Sequence, residues 1–149
     1  MAKAKSATAA KAKEPAPGAD VPVLGGVVAY LNVDGAAKAA KFYEKAFGAK
    51  EVFRYPVDEK GRTMHIHLHI NGSSMMLSDF FPEHGYPVKP AEGFTMTLMV
   101  DDIQKWCQRA ADAGITVTLP IEKMFWGDFY CQMRDPFGVL WAMNQPDKG

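Results

Sequence analysis

The sequence predicts an α+β fold in which one strand–helix–strand–strand–strand unit is used twice. Three observations carry this. Arg62–Asn71 alternates strictly, with Met64, Ile66, Leu68 and Ile70 on one face and His65, His67 and His69 on the other; a period of two is the mark of a strand. Two other runs carry apolar residues at helical spacing, and each ends at a glycine. Landmarks also recur at a near-constant offset. Val33-Asp34 returns as Val100-Asp101 at 67, Gly48 as Gly114 at 66, and Gly72 as Gly138 at 66, which is an internal repeat.

Residues 1–20 are rich in Ala, Lys and Pro and hold no apolar run. They are expected to be a disordered tail, and they lack the apolar stretch of a secretory signal. Folded structure is expected from Val21. Gly25–Val33 reads as the first strand, Asp34 as a helix cap, and Ala36, Ala40, Tyr43 and Phe47 as a helix stopped by Gly48. Glu51–Tyr55 is a second strand and residues 57–61 a polar turn. The histidine strand then turns at Asn71-Gly72, a pair suited to a two-residue hairpin, and returns through Asp79.

Phe80–Gly93 holds three prolines and two glycines and reads as a loop. The order then repeats. Phe94–Val100 is a strand, and Asp101 or Asp102 caps a helix bearing Ile103, Trp106, Cys107, Ala110 and Ala113. Ile115–Leu119, Phe129–Arg134 and Val139–Asn144 are strands, with a turn at residues 135–138. The expected division is a tail over 1–20, a first βαβββ module over 21–79, a linker over 80–92 and a second module over 93–149.

Composition excludes several functions. Lys and Arg number 17 against 17 Asp and Glu, so electrostatics gives no case for nucleic acid or an anionic membrane. No run approaches the roughly 18 apolar residues of a membrane helix. Cys107 and Cys131 fit no zinc or redox spacing, and a reduced cytoplasmic protein is the plain expectation.

Alternation assigns faces. If Leu31 and Val33 pack on the helix, Val28, Tyr30 and Asn32 look the other way, together with Ser74, Met76 and Ser78 after the hairpin turn. In the second unit Thr95, Thr97 and Met99 share that face with Leu140, Ala142 and Asn144. The three histidines join hydroxyls, amides and thioethers there. A semi-polar concave surface of this kind suits a small molecule; a wet groove or a surface buried by a second copy is the alternative.

Together, Val33-Asp34, Val100-Asp101-Asp102, Phe42-Tyr43, Phe47-Gly48 and residues 135–138 (Asp-Pro-Phe-Gly) resemble the vicinal oxygen chelate superfamily. That superfamily contains glyoxalase I, fosfomycin- and bleomycin-resistance proteins and extradiol dioxygenases. Met64-His65, Met76-Leu77-Ser78-Asp79 and Phe125-Trp126-Gly127-Asp128 resemble its PhnB-like branch. The resemblance covers about residues 24–145. It implies paired βαβββ modules forming a U-shaped, incompletely closed barrel around a central cavity, often in a homodimer. The PhnB-like branch has also carried a ubiquinone-biosynthesis methyltransferase label, but no Gly-rich strand–helix turn for S-adenosylmethionine is present.

Metal enzymes of the superfamily place His, Gln or Glu on strands one, four, five and eight. Counted from the shared motifs, those positions are Val28, Met76, Thr95 and Ala142. None supplies the nitrogen or carboxylate such a site uses. Metal-assisted isomerisation and iron-dependent ring cleavage need those ligands. A divalent metal relocated to His65, His67 and His69 is the alternative, since imidazoles two apart on a strand, about 6.8 Å between Cα atoms, can converge on one ion.

The leading expectation is therefore a metal-free member that binds a small, partly aromatic or cationic molecule, with no cofactor. Its expected ligand-binding residues are Tyr30, Asn32, His65, His67, His69, Ser78, Thr97, Trp126, Tyr130 and Asn144. A lyase, isomerase or dioxygenase-like enzyme on the histidine strand, and a surface used only for assembly, are the competing readings. Phe125-Trp126 with Phe129-Tyr130 reads equally as an aromatic lid or as core. Phe80, Phe81 and Tyr86 sit in a loop long enough to cover the mouth. Arg134 reads as one half of a structural ion pair. Cys131 aligns with His65 across the repeat and on that count faces the cavity, although its neighbours make a poor helix-packing face.

Overall fold

The computed structural model describes Gly18 and residues 20–149. The expected disordered tail, apart from Gly18 and Asp20, lies outside the described residues. The elements are β1 (Ala29–Asn32), α1 (Ala36–Phe47), β2 (Lys50–Arg54), β3 (Ile66–Ile70), β4 (Ser73–Ser78), β5 (Met96–Met99), α2 (Ile103–Asp112), β6 (Thr116–Lys123), β7 (Phe129–Arg134) and β8 (Leu140–Gln145). They form two four-stranded mixed sheets, ordered β1-β4-β3-β2 and β5-β8-β7-β6, with no closed barrel. In each sheet the first strand runs parallel to the last and the other pairs are antiparallel. This is the expected α+β fold of two βαβββ modules.

Boundaries shift for local reasons. β1 starts at Ala29 rather than Gly25, because Gly25 takes φ +97° and Val27 is fully exposed. β6 runs past Leu119 through Pro120 to Lys123. It pairs only with β7, and an edge strand tolerates a residue without an N–H. The hairpin turn is as expected: Asn71 and Gly72 take φ +48° and +83°, the pattern of a tight primed turn.

Asp34 does not cap α1; Gly35 stands at the cap with no side-chain bond. The helix is capped from the end of β4 instead. Asp79 Oδ1 accepts from Gly35 N at 2.8 Å and Ala36 N at 3.0 Å, and its Oδ2 accepts from Thr63 N at 2.8 Å. The second module repeats the device 66 residues on, where Gln145 Oε1 accepts from Ile103 N at 2.7 Å, and Asp102 adds the expected local cap through Lys105 N.

Both modules share one core. At its centre Asp135, 5% exposed, accepts from Phe137 N, Val139 N, Tyr43 Oη at 2.5 Å and Trp141 Nε1 at 2.9 Å. Tyr43 belongs to α1 and the other three donors to the second module. Tyr43 and Phe47 stack on one another and against Trp141. Burial and, after it, the Asp135 charge hold the Tyr43 hydroxyl far above its usual range, so it stays a donor.

Cys131 does not face the open side. It is fully buried, as is Met133, while Tyr130 and Gln132 are half-buried on the other face. The reason is the second hairpin. Leu68 opposes Met75 and Met133 opposes Trp141, so the strand-three equivalence is 65 residues, not 66, and Cys131 matches Ile66. Asp135 and Val139 close the second turn around three residues where Ile70 and Ser73 close the first around two. One added turn residue flips the faces of a count made from the turn glycine. Burial, followed by the neighbouring Cys107, pushes the Cys131 thiol up to about 12, which removes it as a nucleophile.

The start of the described chain crosses the histidine face of the first sheet. A Cβ at Gly18 would come within 3.0 Å of the Phe53 ring, so only a glycine passes there without displacing that ring, and Pro22 O accepts from His69 Nε2 at 2.9 Å. Leu24 N donates to Ser74 Oγ at 2.8 Å, and Leu24 O accepts from Ser74 N. Ser74 Oγ in turn bonds His67 Nε2 at 2.7 Å. The strap leaves His67 only 3% exposed.

Two consequences are measurable. Asp135→Ala, which orphans four donors, and Tyr43→Phe, which removes one charge-assisted bond, are expected to lower the unfolding free energy by about 3–5 and about 1.5–3 kcal/mol in urea melts. The His67 pKa lies below its ordinary 6.5, through burial first and then the neighbouring His69 and His65. Its neutral form is therefore favoured by folding, and its contribution is complete above pH 6.5 and lost as pH falls through the depressed value. Urea midpoints measured from pH 8 to 5 should fall below pH 6.5, and His67→Asn should flatten that fall.

Candidate functional site

A concave surface lies at the end of β1, beyond the strap, and both modules line it. It has two contiguous lobes of about 370 and 300 Å³ that share Tyr30, Asn32 and Tyr86. Alternation aims Tyr30 and Asn32 away from α1, since Leu31 between them fills the core. β4, parallel to β1, sets Asn32 opposite Ser78. The larger lobe adds Met64, Phe81 and His84, and the smaller adds Pro87, Pro90 and Phe94. The connection between modules thus walls the cleft, as its length suggested.

Loop placement has a clear cause. A one-turn 3-10 helix spans Pro82–His84, and Phe81 and Tyr86 pair across it. Arg62 clamps this turn to the first module. Its guanidinium meets Glu83 at 2.6 Å and Asp58 at 3.0 Å and lies 4.4 Å from the Phe81 ring centre. Arg62, through its hydrogen bond, holds the Glu83 carboxyl down at about 2.

The polar groups of the cleft are few and mostly committed. The Tyr30 hydroxyl lies 2.9 Å from His65 Nδ1 and 3.1 Å from Met64 O. The carbonyl only accepts, so the phenol oxygen is engaged in either histidine tautomer. Burial raises the Tyr30 pKa and lowers that of His65, so both are neutral near pH 7. Ser78 Oγ donates to Asp79 O at 3.0 Å and so accepts from Asn32 Nδ2 at 2.8 Å. This fixes the Asn32 amide and leaves its Oδ1 without a protein partner among the described residues. The Asp79 carboxylate borders the larger lobe but is occupied by three backbone donors.

Of the sequence-derived site residues, Tyr30, Asn32 and Ser78 are brought together, with His65 behind Tyr30. His67 and His69 lie under the strap. The others belong to the second module. Thr97 is exposed, Asn144 Nδ2 donates to Asp128 at 2.8 Å, and Tyr130 is held by Gln132 and stacks edge-on with Trp126 at 5.5 Å. Phe125 is 95% and Trp126 48% exposed at the tip of the β6–β7 hairpin, so neither is core. Arg134 finds a carbonyl, Gly138 O at 2.8 Å, rather than a carboxylate. The strap escaped sequence reasoning because it has no periodicity; its one signal is the cluster of Pro and Gly before β1.

The residues do not fit a metal. Met76 and Ala142 lie on β4 and β8, and Val28 and Thr95 just precede β1 and β5; none offers imidazole or carboxylate. On the histidine strand, His67 Nε2 is spent on Ser74 and His69 Nε2 on Pro22 O, and the two rings meet edge-on at 5.1 Å. Among the described residues no three His, Cys, Asp or Glu side chains are placed to share an ion.

A sequence model of the Glyoxalase/Bleomycin resistance protein/Dioxygenase superfamily matches residues 24–143. The uncharacterized protein Rv0887c of Mycobacterium tuberculosis is 41% identical over 123 residues, covering 78% of this chain and 72% of its own. The crystal structure of protein PA1353 from Pseudomonas aeruginosa superposes with a TM-score of 0.66 at 27% identity, over 82% of this chain and 98% of that one. A PhnB protein from Bacillus cereus, described as a putative 3-demethylubiquinone-9 3-methyltransferase, shares the fold with a TM-score of 0.60 at 19% identity, over 81% and 99%. The chain belongs to the Glyoxalase/Bleomycin resistance protein/Dioxygenase superfamily.

Proposed function

We propose that this chain is a metal-free, small-molecule-binding member of the superfamily and that its ligand occupies the cleft around Tyr30, Asn32 and Tyr86. The observation that carries the reading is the pair of contiguous lobes sharing those residues, walled by the inter-module loop. Aromatic faces with a few free polar groups are what orient a small organic ligand. The donor chemistry at Val28, Met76, Thr95 and Ala142 argues for binding without a metal. The Tyr30 hydroxyl stands 2.9 Å from His65 Nδ1, but burial raises its pKa and so disfavours the phenolate, and capture is favoured over turnover.

The same reading extends to assembly and place. The exposed Phe125-Trp126 tip and the 56% exposed Met99 have the composition of an interface core, and we take the working unit to be a homodimer, which light scattering on the purified chain reads directly. The two free cysteines favour the reducing cytoplasm, and no helix of the described residues is long and apolar enough to cross a membrane.

Affinity selection from a library of aromatic and heteroaromatic compounds, read by mass spectrometry with chelator present throughout, tests the proposal. Retention of a compound class unaffected by chelator, weakened at least about tenfold by Tyr86→Ala, is expected. Loss of all retention on chelation, restored by zinc or nickel, would overturn it in favour of a metal site.

A further inference from the structure

The character of the ligand can be narrowed, an inference that rests on the cleft being a binding site. Three rings at its mouth remain wet: Tyr30 is 48%, Tyr86 66% and Phe94 41% exposed. Exposed aromatics clustered around a concavity gain most from a flat ring laid against them. The smaller lobe has one formally charged lining residue, Lys89. Among the described residues Lys89 has no carboxylate within ion-pair distance; the pairs formed are Glu51–Arg54, Asp58–Arg62–Glu83 and Lys123–Asp147. Two further polar atoms common to both lobes, Asn32 Oδ1 and the Tyr86 hydroxyl, have no hydrogen-bond partner among the described residues, and Asn32 Oδ1 is fixed as an acceptor because Asn32 Nδ2 donates to Ser78 Oγ.

We infer that the cleft takes a planar aromatic acid: a ring system between Tyr30, Tyr86 and Phe94, an anionic group on Lys89, and a hydroxyl or N–H donor given to Asn32 Oδ1. The complementarity is chemical. An ammonium has donors only and favours an anion; a fixed amide oxygen accepts only and favours a donor. A cationic aromatic, in contrast, meets Lys89 and finds no free carboxylate lining either lobe, since Asp79 is occupied by Gly35, Ala36 and Thr63 N–H groups. Lys89 also borders the adjoining groove that holds Asp34, Glu92 and Arg134, so its side chain has two directions available, and ligand charge draws it to the cleft.

The test uses the full chain and four probes: 6-hydroxy-2-naphthoate, 2-naphthoate, 6-hydroxy-2-naphthamide and 2-naphthylmethylammonium, titrated by calorimetry. The hydroxynaphthoate should bind at least about tenfold more tightly than its amide, a difference of about 1.4 kcal/mol. Lys89→Gln should bring that ratio near one while leaving the amide unchanged. Asn32→Ala should erase the advantage of the 6-hydroxyl, and the carboxylate preference should shrink with added salt. Equal affinity for acid and amide, a ratio that survives Lys89→Gln, or tighter binding of the ammonium probe would overturn the inference while leaving an aromatic-binding cleft in place. No binding of any probe would overturn it too; the chelator-resistant library selection then decides separately whether the cleft binds small molecules at all.

Discussion

The carboxylate of Asp135 is the contact on which the two-module fold turns. It is buried, and it is held by two backbone amides of its own turn, the indole of Trp141 and the hydroxyl of Tyr43. The first three bonds shape the second hairpin. The fourth ties that hairpin to the helix of the other module. A buried charge is tolerated only when fully bonded, so the position of α1 and the turn geometry constrain one another. The aromatic stack of Tyr43, Phe47 and Trp141 then fills the space that this bond defines. Asp79 and Gln145 complete the scheme, each carrying the end of a last strand back to the start of its own module's helix.

That scaffold decides where a ligand can go. Helix packing consumes one face of each sheet, and in the first sheet the strap through Pro22 and Leu24 covers the histidine part of the other. What stays open in the first sheet is the end of β1, where Tyr30 and Asn32 project under the inter-module loop. Arg62, held by Asp58 of the first module, grips that loop through the Glu83 carboxylate and the Phe81 ring, so the wall of the cleft is anchored to the first module. The histidines, which dominate the sequence pattern, act chiefly as supports: His65 backs Tyr30, while His67 and His69 hold the strap.

Periodicity made most of the fold legible. The alternation held over Ile66–Ile70, while Arg62–His65 stay outside the strand and Met64, read as part of its apolar face, is 52% exposed in the cleft; the glycines ending both helices and the Asn71-Gly72 turn act through neighbouring residues and were found where the pattern put them. Interactions between residues far apart in sequence were not legible. Asp79 caps a helix 43 residues earlier, and nothing beside Ala36 announces it. Cys131 was misplaced because a single added turn residue reverses a face assignment counted from Gly138. Of the site, Tyr30, Asn32 and Ser78 followed from alternation, and the loop aromatics from loop length. The separation of Thr97, Trp126, Tyr130 and Asn144 from that group depends on how two sheets are placed, which strand patterns do not encode.

Methionine methyl resonances offer the most direct test of a metal-free ligand cleft at the end of β1. Met64 lines the larger lobe and is 52% exposed, Met76 lies on the histidine face, and Met99, 56% exposed, lies on the second sheet. With 13C-methyl labelling and excess chelator, a bound aromatic fragment should shift Met64 and leave Met76 and Met99 in place. Shifts centred on Met76 or Met99, or shifts that appear only after a divalent metal is added, would contradict the account.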